Sequence, residues 1–208
     1  KILAFNELKI FARDRYGVIG ANGAGKSTLL HIIAGDLKAD EGNVKVYTDI
    51  SYVRQQKEED ILGFRFGNRH MSGGEIAKAQ FVHFYNPDAG LLLADEPTSN
   101  MDMNGISFVE KTLSDFEGAL LLVSHDRRLL DKLCTGIIEL ADGSIRIFPG
   151  NYSMYLRQRE ENLKRERAEY EKYIKERDRL RERLYERKEH MGRVRKTPRR
   201  MGNSEARL

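Results

Sequence analysis

The sequence predicts an α/β domain with a mainly parallel sheet, followed by a long charged α-helical extension. Three continuous apolar runs, at residues 16–20, 90–94 and 119–123, are typical of strands buried on both faces. Stretches of helical character separate these runs, as in a sheet with crossover helices. The extension is predicted because neither proline nor glycine occurs from Asn151 until Gly192.

The remaining elements follow from shorter patterns along the chain. Further strands are predicted at residues 43–47, 50–53, 136–140 and 144–148. Helices are predicted at residues 26–34, 74–85, 104–113 and 127–133. We therefore expect one domain over residues 1–149 and a helical extension over residues 150–208.

Composition excludes several classes of protein. The chain has 208 residues, 33% of them charged and 40% hydrophobic, which is enough for one domain with an appendage. It has no apolar run of about 18 residues, so no membrane span is expected. A single cysteine, Cys134, excludes an intrachain disulfide and a cysteine metal cluster. These features favour a cytoplasmic location.

Charge is distributed unevenly between the domain and the extension. Residues 1–150 carry 17 Lys and Arg against 21 Asp and Glu, whereas residues 151–200 carry 18 against 10. A basic extension on an acidic body is typical of proteins that meet nucleic acid. The alternative is a solvated charged helix with no such partner, and charge alone does not separate the two.

The extension also carries a narrow apolar seam. Its heptad positions are Leu156, Leu163, Tyr170, Leu184 and Met191. Such a seam predicts packing against one other helix. A basic turn is expected at residues 192–203, around Pro198, so the simplest interpretation is a helical hairpin. Five tyrosines could stack on bases, although packing along the seam is the favoured interpretation: Tyr152, Tyr155, Tyr170, Tyr173 and Tyr185.

The strongest motif is a glycine-rich loop between a strand and a helix. Residues 20–27 read GANGAGKS, which matches the phosphate-binding loop pattern of P-loop NTPases in full. Glycines let backbone N–H groups turn toward phosphates, and the helix N-terminus adds its positive dipole end. Lys26 is predicted to reach the β- and γ-phosphates, and Ser27 to ligate Mg²⁺. The predicted phosphate-binding residues of ATP are Gly20, Asn22, Gly23, Ala24, Gly25, Lys26, Ser27 and Thr28.

Two adjacent carboxylates end the apolar run LLLADEP. Asp95 is predicted to hold Mg²⁺, as strand-end acids do in phosphate-loop enzymes. Successive side chains on a strand point to opposite sides, so Glu96 must have a different role. It is predicted to orient a water as general base.

Taken with four further motifs, the chain resembles the ATP-binding cassette family. Gln55 resembles the family's glutamine loop, and Met71 with the SGGE that follows resembles its signature motif. Residues 99–102 resemble its aspartate loop, and His125 its switch histidine. The resemblance implies that Gln55 senses Mg²⁺ and the attacking water, and that His125 is catalytic at the γ-phosphate. It also implies head-to-tail pairing, in which Ser72, Gly73 and Gly74 close over the ATP of a partner cassette.

The extension resembles the linker of the ABC-F class, in which one soluble chain joins two cassettes by a helical hairpin. That resemblance implies a ribosome-associated ATPase, with rRNA and tRNA near the linker, acting in translation or in antibiotic resistance. Only 16 residues separate Gln55 from Ser72, so the helical subdomain between them is expected to be incomplete. The alternatives are the ATP-binding subunit of a membrane transporter and a nucleic-acid-organising or repair protein with a coiled-coil arm.

Overall fold

The computed structural model describes residues 3–55 and 73–196, with side chains through Met191. Met71, Ser72, the return of the hairpin and residues 197–203 of the predicted basic turn lie outside the described residues. The described strands are β1 (Arg15–Gly20), β2 (Ile50–Val53), β3 (Leu91–Asp95), β4 (Ala119–Val123), β5 (Gly136–Ala141) and β6 (Ser144–Pro149). The described helices are α1 (Lys26–Ala34), α2 (Gly73–Phe84), α3 (Met103–Asp115), α4 (Arg127–Leu133) and α5 (Tyr152–Lys196).

The six strands form one sheet in the order β2-β3-β4-β1-β5-β6. Every neighbouring pair is parallel except β5 and β6, which form an antiparallel hairpin. All residues of β3 and β4 are buried, which explains why these strands read as continuous apolar runs. The predicted mainly parallel α/β sheet is confirmed.

Alternate residues of each strand point to opposite sides of the sheet, so the apolar strands give it two apolar faces. Helices cover both of these faces. On one face Leu93 and Leu121 pack with Leu30 of α1. On the other face Leu92 and Leu120 pack in one cluster with residues of α2, α3 and α4. The core therefore lies in two layers, and the loops at the strand ends are left at its rim.

Two predictions about local structure are wrong. Residues 43–47 form no strand, and all five are exposed; their alternation of Val44 and Val46 finds no neighbouring strand among the described residues. The helix does not end at Gly192 but continues to Lys196. One glycine in an exposed helix costs only about 1 kcal/mol relative to alanine, which the rest of a long helix tolerates. The other predicted element bounds agree within two residues.

The described residues through Gln158 form one compact unit, and those from Arg159 form a second. The second unit holds most of α5, where the seam residues are exposed, including Leu163 and Tyr170. Tyr155 lies in the first unit, is only 7% exposed and packs in the core, which agrees with the favoured packing interpretation and leaves it unavailable for stacking on bases. Within residues 3–55 and 73–196, none of the helices combines the length and apolarity of a bilayer span.

Candidate functional site

The predicted site residues follow strands whose carboxyl ends meet at one edge of the sheet. The phosphate loop follows β1, Glu96 follows β3 and His125 follows β4, and these strands are neighbours. Gln55 stands two residues after β2, which pairs with β3. Ligands of open α/β sheets bind at this edge, so the topology brings these four loops to the expected place.

Left-handed glycines shape the phosphate loop. Gly23 has a φ of 78° and Gly25 a φ of 100°, values that L side chains rarely adopt. Gly25 is also the N-cap of α1, and no described side chain caps this helix. The first N–H groups of α1 are therefore available to an anion.

Lys26 lies folded over this loop. Its Nζ donates to the carbonyl oxygen of Gly20 at 3.0 Å and to that of Ala21 at 3.1 Å. Both acceptors are neutral carbonyl oxygens, so these bonds do not neutralise the positive charge of the ammonium. The loop and its lysine together form a concave, electropositive backbone turn, which is the chemistry of a phosphate site.

The two carboxylates after the apolar run occupy different surroundings. Asp95 is the last residue of β3, pairs with Val123 and is 2% exposed. Glu96 leaves the strand with a φ of 48°, and its N–H donates to the Val123 carbonyl at 2.9 Å. A non-glycine residue held in the left-handed region stores strain, which is common at functional sites.

Glu96 and His125 contact one another. The backbone N–H of His125 donates to Glu96 Oε2 at 3.3 Å, and His125 Nε2 lies 3.6 Å from Glu96 Oε1. The Glu96 side chain is 11% exposed, whereas that of His125 is 72% exposed. Burial raises the pKa of Glu96 above its ordinary value, although the His125 N–H and the His125 side chain oppose the shift. A carboxylate of raised pKa beside a solvent-accessible imidazole is suited to proton transfer.

Gln55 is exposed, and the residue before it is tied to α1. Arg54 Nη2 donates to both oxygens of Asp36 at 3.0 Å, just beyond the C-terminus of that helix.

Gly73 and Gly74 begin α2, and a Cβ on Gly74 would lie 3.3 Å from the Asp102 nitrogen. Asp102 itself caps α3 by accepting from Gly105 at 2.8 Å. Gly74 thus packs on the loop that follows Glu96, whereas a Cβ on Gly73 would meet no atom within 4 Å.

The residues present fit Mg²⁺ bound together with a nucleotide. Ser27, Gln55 and Asp95 offer hydroxyl, amide and carboxylate oxygens, which are the ligand types that Mg²⁺ prefers. Oε1 of Glu96 is buried and finds no hydrogen-bond partner among the described residues, so the site holds an acceptor ready for a water. The described residues include no cluster of three His, Cys, Asp or Glu side chains suited to a metal. Magnesium usually takes one or two carboxylates and completes its shell with phosphates and water.

Sequence reasoning missed one buried polar pair beside the phosphate loop. Tyr155 donates from its hydroxyl to Glu139 Oε1 at 2.7 Å, and both side chains are buried. The available signal was a glutamate inside the apolar run IIEL of the predicted strand at residues 136–140. A carboxylate at such a position requires a buried partner.

Comparison with known proteins gives consistent matches. Two family models, both described as ABC transporter, match residues 5–65 and 138–198. The ribosome protection protein VmlR of Bacillus subtilis is 37% identical over 179 residues, covering 78% of this chain and 32% of VmlR. The erythromycin resistance ATP-binding protein MsrA of Staphylococcus epidermidis is 35% identical over 181 residues, covering 79% and 37%. The chain thus spans about a third of the length of the curated relatives it matches.

A solved structure supports the fold. The ATP-binding cassette MJ0796, a dimer in a post-hydrolysis state bound to ADP and Pi, superposes with a TM-score of 0.58 at 19% identity. The match covers 71% of this chain and 90% of that one. The sheet order, the phosphate loop and the relatives agree, and we conclude that the chain belongs to the ATP-binding cassette family, within the ABC-F class.

Proposed function

We propose that this chain binds MgATP and hydrolyses it, and that the hydrolysis drives a conformational change in a cytoplasmic, ribosome-associated ABC-F protein. The observation that carries the proposal is the meeting of the phosphate loop, Glu96 and His125 at the carboxyl edge of neighbouring parallel strands. The relatives that are themselves named for ribosome protection and erythromycin resistance favour this function over a membrane transporter subunit.

The phosphate loop is proposed to hold the triphosphate. The N–H groups of residues 20–28 bind the phosphate oxygens, and Lys26 exchanges its bonds to the Gly20 and Ala21 carbonyls for the β- and γ-phosphates. This exchange is favourable, because the phosphate oxygens carry negative charge and the loop carbonyls are neutral. The loop carbonyls keep the ammonium close to its site before the nucleotide arrives.

Glu96 is proposed as the general base. Its buried, raised-pKa carboxylate accepts a proton from the water that attacks the γ-phosphorus. His125, held at the Glu96 carboxylate, is proposed to stabilise the charge that develops on the γ-phosphate. Gln55 is proposed to orient the same water from the β2 loop.

Ser27, Asp95 and Gln55 are proposed to hold the magnesium ion. When bound, the ion neutralises negative charge on the phosphate oxygens as a Lewis acid. The position of Asp95 supports this role, because it ends the buried strand β3 and only β4 separates β3 from β1, which leads into the phosphate loop. Mutation of these residues is expected to weaken metal-dependent binding more than metal-free binding.

A second cassette is the proposed partner of this one. Ser72, Gly73 and Gly74 are proposed to close over the γ-phosphate of the partner's ATP, because a hydroxyl and free N–H groups at a helix start bind anions. The site of this chain then needs the corresponding motif of the partner. Among the described residues, Gly74 packs on the Asp102 loop, and this contact supports the start of α2.

This requirement leads to a prediction for the 208-residue chain alone. We expect ATP binding but weak or no steady-state hydrolysis, since the transition-state contacts from a second cassette are missing. Phosphate release should be measured across protein concentrations, with sedimentation velocity on the same samples. Robust turnover at low concentration by a monomer would contradict the need for a partner.

The basic extension is proposed to contact ribosomal RNA and tRNA. Residues 151–200 have a surplus of eight cationic side chains, and phosphate neutralisation dominates the affinity of such surfaces for RNA. Tyr170, Tyr173 and Tyr185 are each about two-thirds exposed and are available to stack on bases or on a second helix. Translation support and drug protection would both use this contact.

Ribosome cosedimentation tests the proposal. The full-length protein carrying Glu96→Gln, with the matching change in the second cassette, should retain ATP and pellet with ribosomes when ATP is present. Without nucleotide, or with ADP, pelleting should fall to background. Cosedimentation should weaken steeply as salt rises, because counterion release scales with the number of phosphate contacts.

A matched control separates loss of ATP binding from loss of ribosome binding. The same protein with Lys26→Ala and the matching lysine change in the second cassette should neither bind ATP nor pellet. If the Glu96→Gln protein binds ATP tightly and still does not pellet, the ribosome is not the partner. If the Glu96→Gln protein does pellet with ribosomes, drug-protection assays in translating extracts would distinguish antibiotic resistance from a general role in translation.

A further inference from the structure

The first turn of α5 is held against the nucleotide-binding unit by several polar contacts. Asp131 of α4 accepts from the Ser153 N–H at 2.6 Å and from its hydroxyl. Asn151 caps the turn by accepting from Met154 at 3.1 Å, and Gln158 donates to the Pro149 carbonyl at 2.9 Å. The base of the extension is therefore part of this unit.

Among these contacts, the Tyr155–Glu139 pair is the one that is buried. Tyr155 is 7% exposed and Glu139 6%, with 2.7 Å between hydroxyl and carboxylate oxygen. The Tyr155 ring also packs edge-on against Phe148 of β6, with 5.1 Å between ring centroids. The ring fills the core, and the hydroxyl stabilises a carboxylate that would be costly to bury without donors.

Glu139 stands beside the strand that leads into the phosphate loop. In the β1–β5 register it pairs with Ile19, and Leu140 pairs with Gly20. The approach is close, because a Cβ on Gly20 would lie 2.6 Å from the Leu140 carbonyl oxygen. A cleft of about 470 Å³ is lined by Gly20–Ala24 on one side and by Glu139 and Tyr155 on the other. The position of β5 at residues 139–140 therefore limits the position of Gly20.

We infer that Tyr155 is a positioning residue for nucleotide binding: through its hydrogen bond to Glu139 it holds β5 against β1 and so sets the phosphate loop. The inference rests on the proposed function and deepens it, since it makes the first turn of the extension a support of the ATP site. Loss of the hydroxyl leaves the buried carboxylate with one donor fewer. The strand at residues 139–140 then shifts toward water, and the loop that starts at Gly20 shifts with it.

Tyr155→Phe tests this inference, because it removes the hydroxyl and keeps the ring against Phe148. Tyr152→Phe is the matched control: it also deletes one hydroxyl from the same turn, but Tyr152 is half-buried under Arg127 and does not line the cleft. Binding of a fluorescent ATP analogue with Mg²⁺ is measured in the full chain, well below the melting temperature. We expect Tyr155→Phe to bind more weakly, by up to about fivefold, which is the limit reached when a whole hydrogen bond of about 1 kcal/mol is coupled to the nucleotide site. The control should stay within about 1.5-fold of the wild type, since a surface substitution usually costs under 0.5 kcal/mol.

A double-mutant cycle separates positioning from packing. Glu139→Gln keeps a carbonyl acceptor for the Tyr155 hydroxyl, so it should retain most of the wild-type affinity for the nucleotide. Glu139→Leu removes the acceptor and should bind as weakly as Tyr155→Phe. Adding Tyr155→Phe to Glu139→Leu should then cause no further loss, because the Tyr155–Glu139 hydrogen bond is already absent in the Glu139→Leu variant. Melting temperatures without nucleotide are recorded for every variant, since a role confined to stability would change them and leave the dissociation constants alike.

The outcomes are distinguishable from failure of the proposed function. If the wild type binds MgATP, Lys26→Ala does not and Tyr155→Phe binds like the wild type, the inference is overturned and the nucleotide site stands. The inference is also overturned if the two changes are additive in the cycle. If the wild type itself binds no MgATP, the proposed function fails first.

Discussion

Replacing Lys26 by alanine should abolish MgATP binding at concentrations that saturate the wild type. The Nζ lies over the loop, within 3.1 Å of two loop carbonyls, and is proposed to bind two phosphates of the nucleotide. Charge-assisted bonds of this kind contribute roughly 1.5–3 kcal/mol each, so two of them account for at least about a hundredfold in the dissociation constant. Isothermal titration with MgATP measures the loss.

Lys38→Ala is the matched control for this experiment. Lys38 is exposed in the segment after α1, so its loss removes the same charge from the same unit without touching the loop. The control should bind MgATP as the wild type does. Binding by Lys26→Ala within about threefold of the wild type, a difference of only about 0.6 kcal/mol, would show that the loop does not use its lysine in this way.

Glu96→Gln should stop hydrolysis while leaving ATP bound. A positioned general base contributes roughly 10²–10⁴ to the rate, and the amide cannot accept the proton of water. The substitution is nearly isosteric, so the contact with the His125 N–H is kept. Single-turnover phosphate release in the paired, full-length protein should fall at least about a hundredfold, as general-base loss predicts, whereas the dissociation constant of ATP should change little.

The rate of hydrolysis should also depend on pH through the same carboxyl. Burial raises the pKa of Glu96, and a base works only when deprotonated. Activity should therefore be complete above the raised pKa and fall as pH decreases through it, beginning at a higher pH than for an ordinary glutamate. The residual rate of Glu96→Gln should lack this limb of the profile.

An exposed carboxylate provides the comparison. Glu117 lies on the surface of the loop between α3 and β4, and Glu117→Gln removes one charge without entering the site. It should retain both the wild-type rate and the acidic limb. Wild-type hydrolysis by Glu96→Gln, or an unchanged acidic limb in that variant, would assign the base to another residue.

Local patterns were sufficient for most of the fold, and they supplied the phosphate-loop, carboxylate and histidine residues that are proposed for the site. Continuous apolar runs predict buried strands such as β3 and β4. The spacing of glycines, lysine and serine at residues 20–27 predicts a phosphate loop, because few other structures require that spacing. Prediction failed where the outcome depends on distant neighbours. Residues 43–47 alternate like a strand, yet a strand exists only beside a partner, and Gly192 reads as a stop although a long exposed helix passes through it.

The sequence by itself determined the residues on which the proposed chemistry rests: the phosphate loop at residues 20–27, the carboxylates Asp95 and Glu96, and the basic charge of the extension. These depend on residue type and short spacing, which local physics is enough to interpret. Only the tertiary structure decided which groups meet. The contact of Glu96 with His125 and the burial of Tyr155 on Glu139 join residues 29 and 16 positions apart, and such pairings follow from strand order and packing rather than from local spacing.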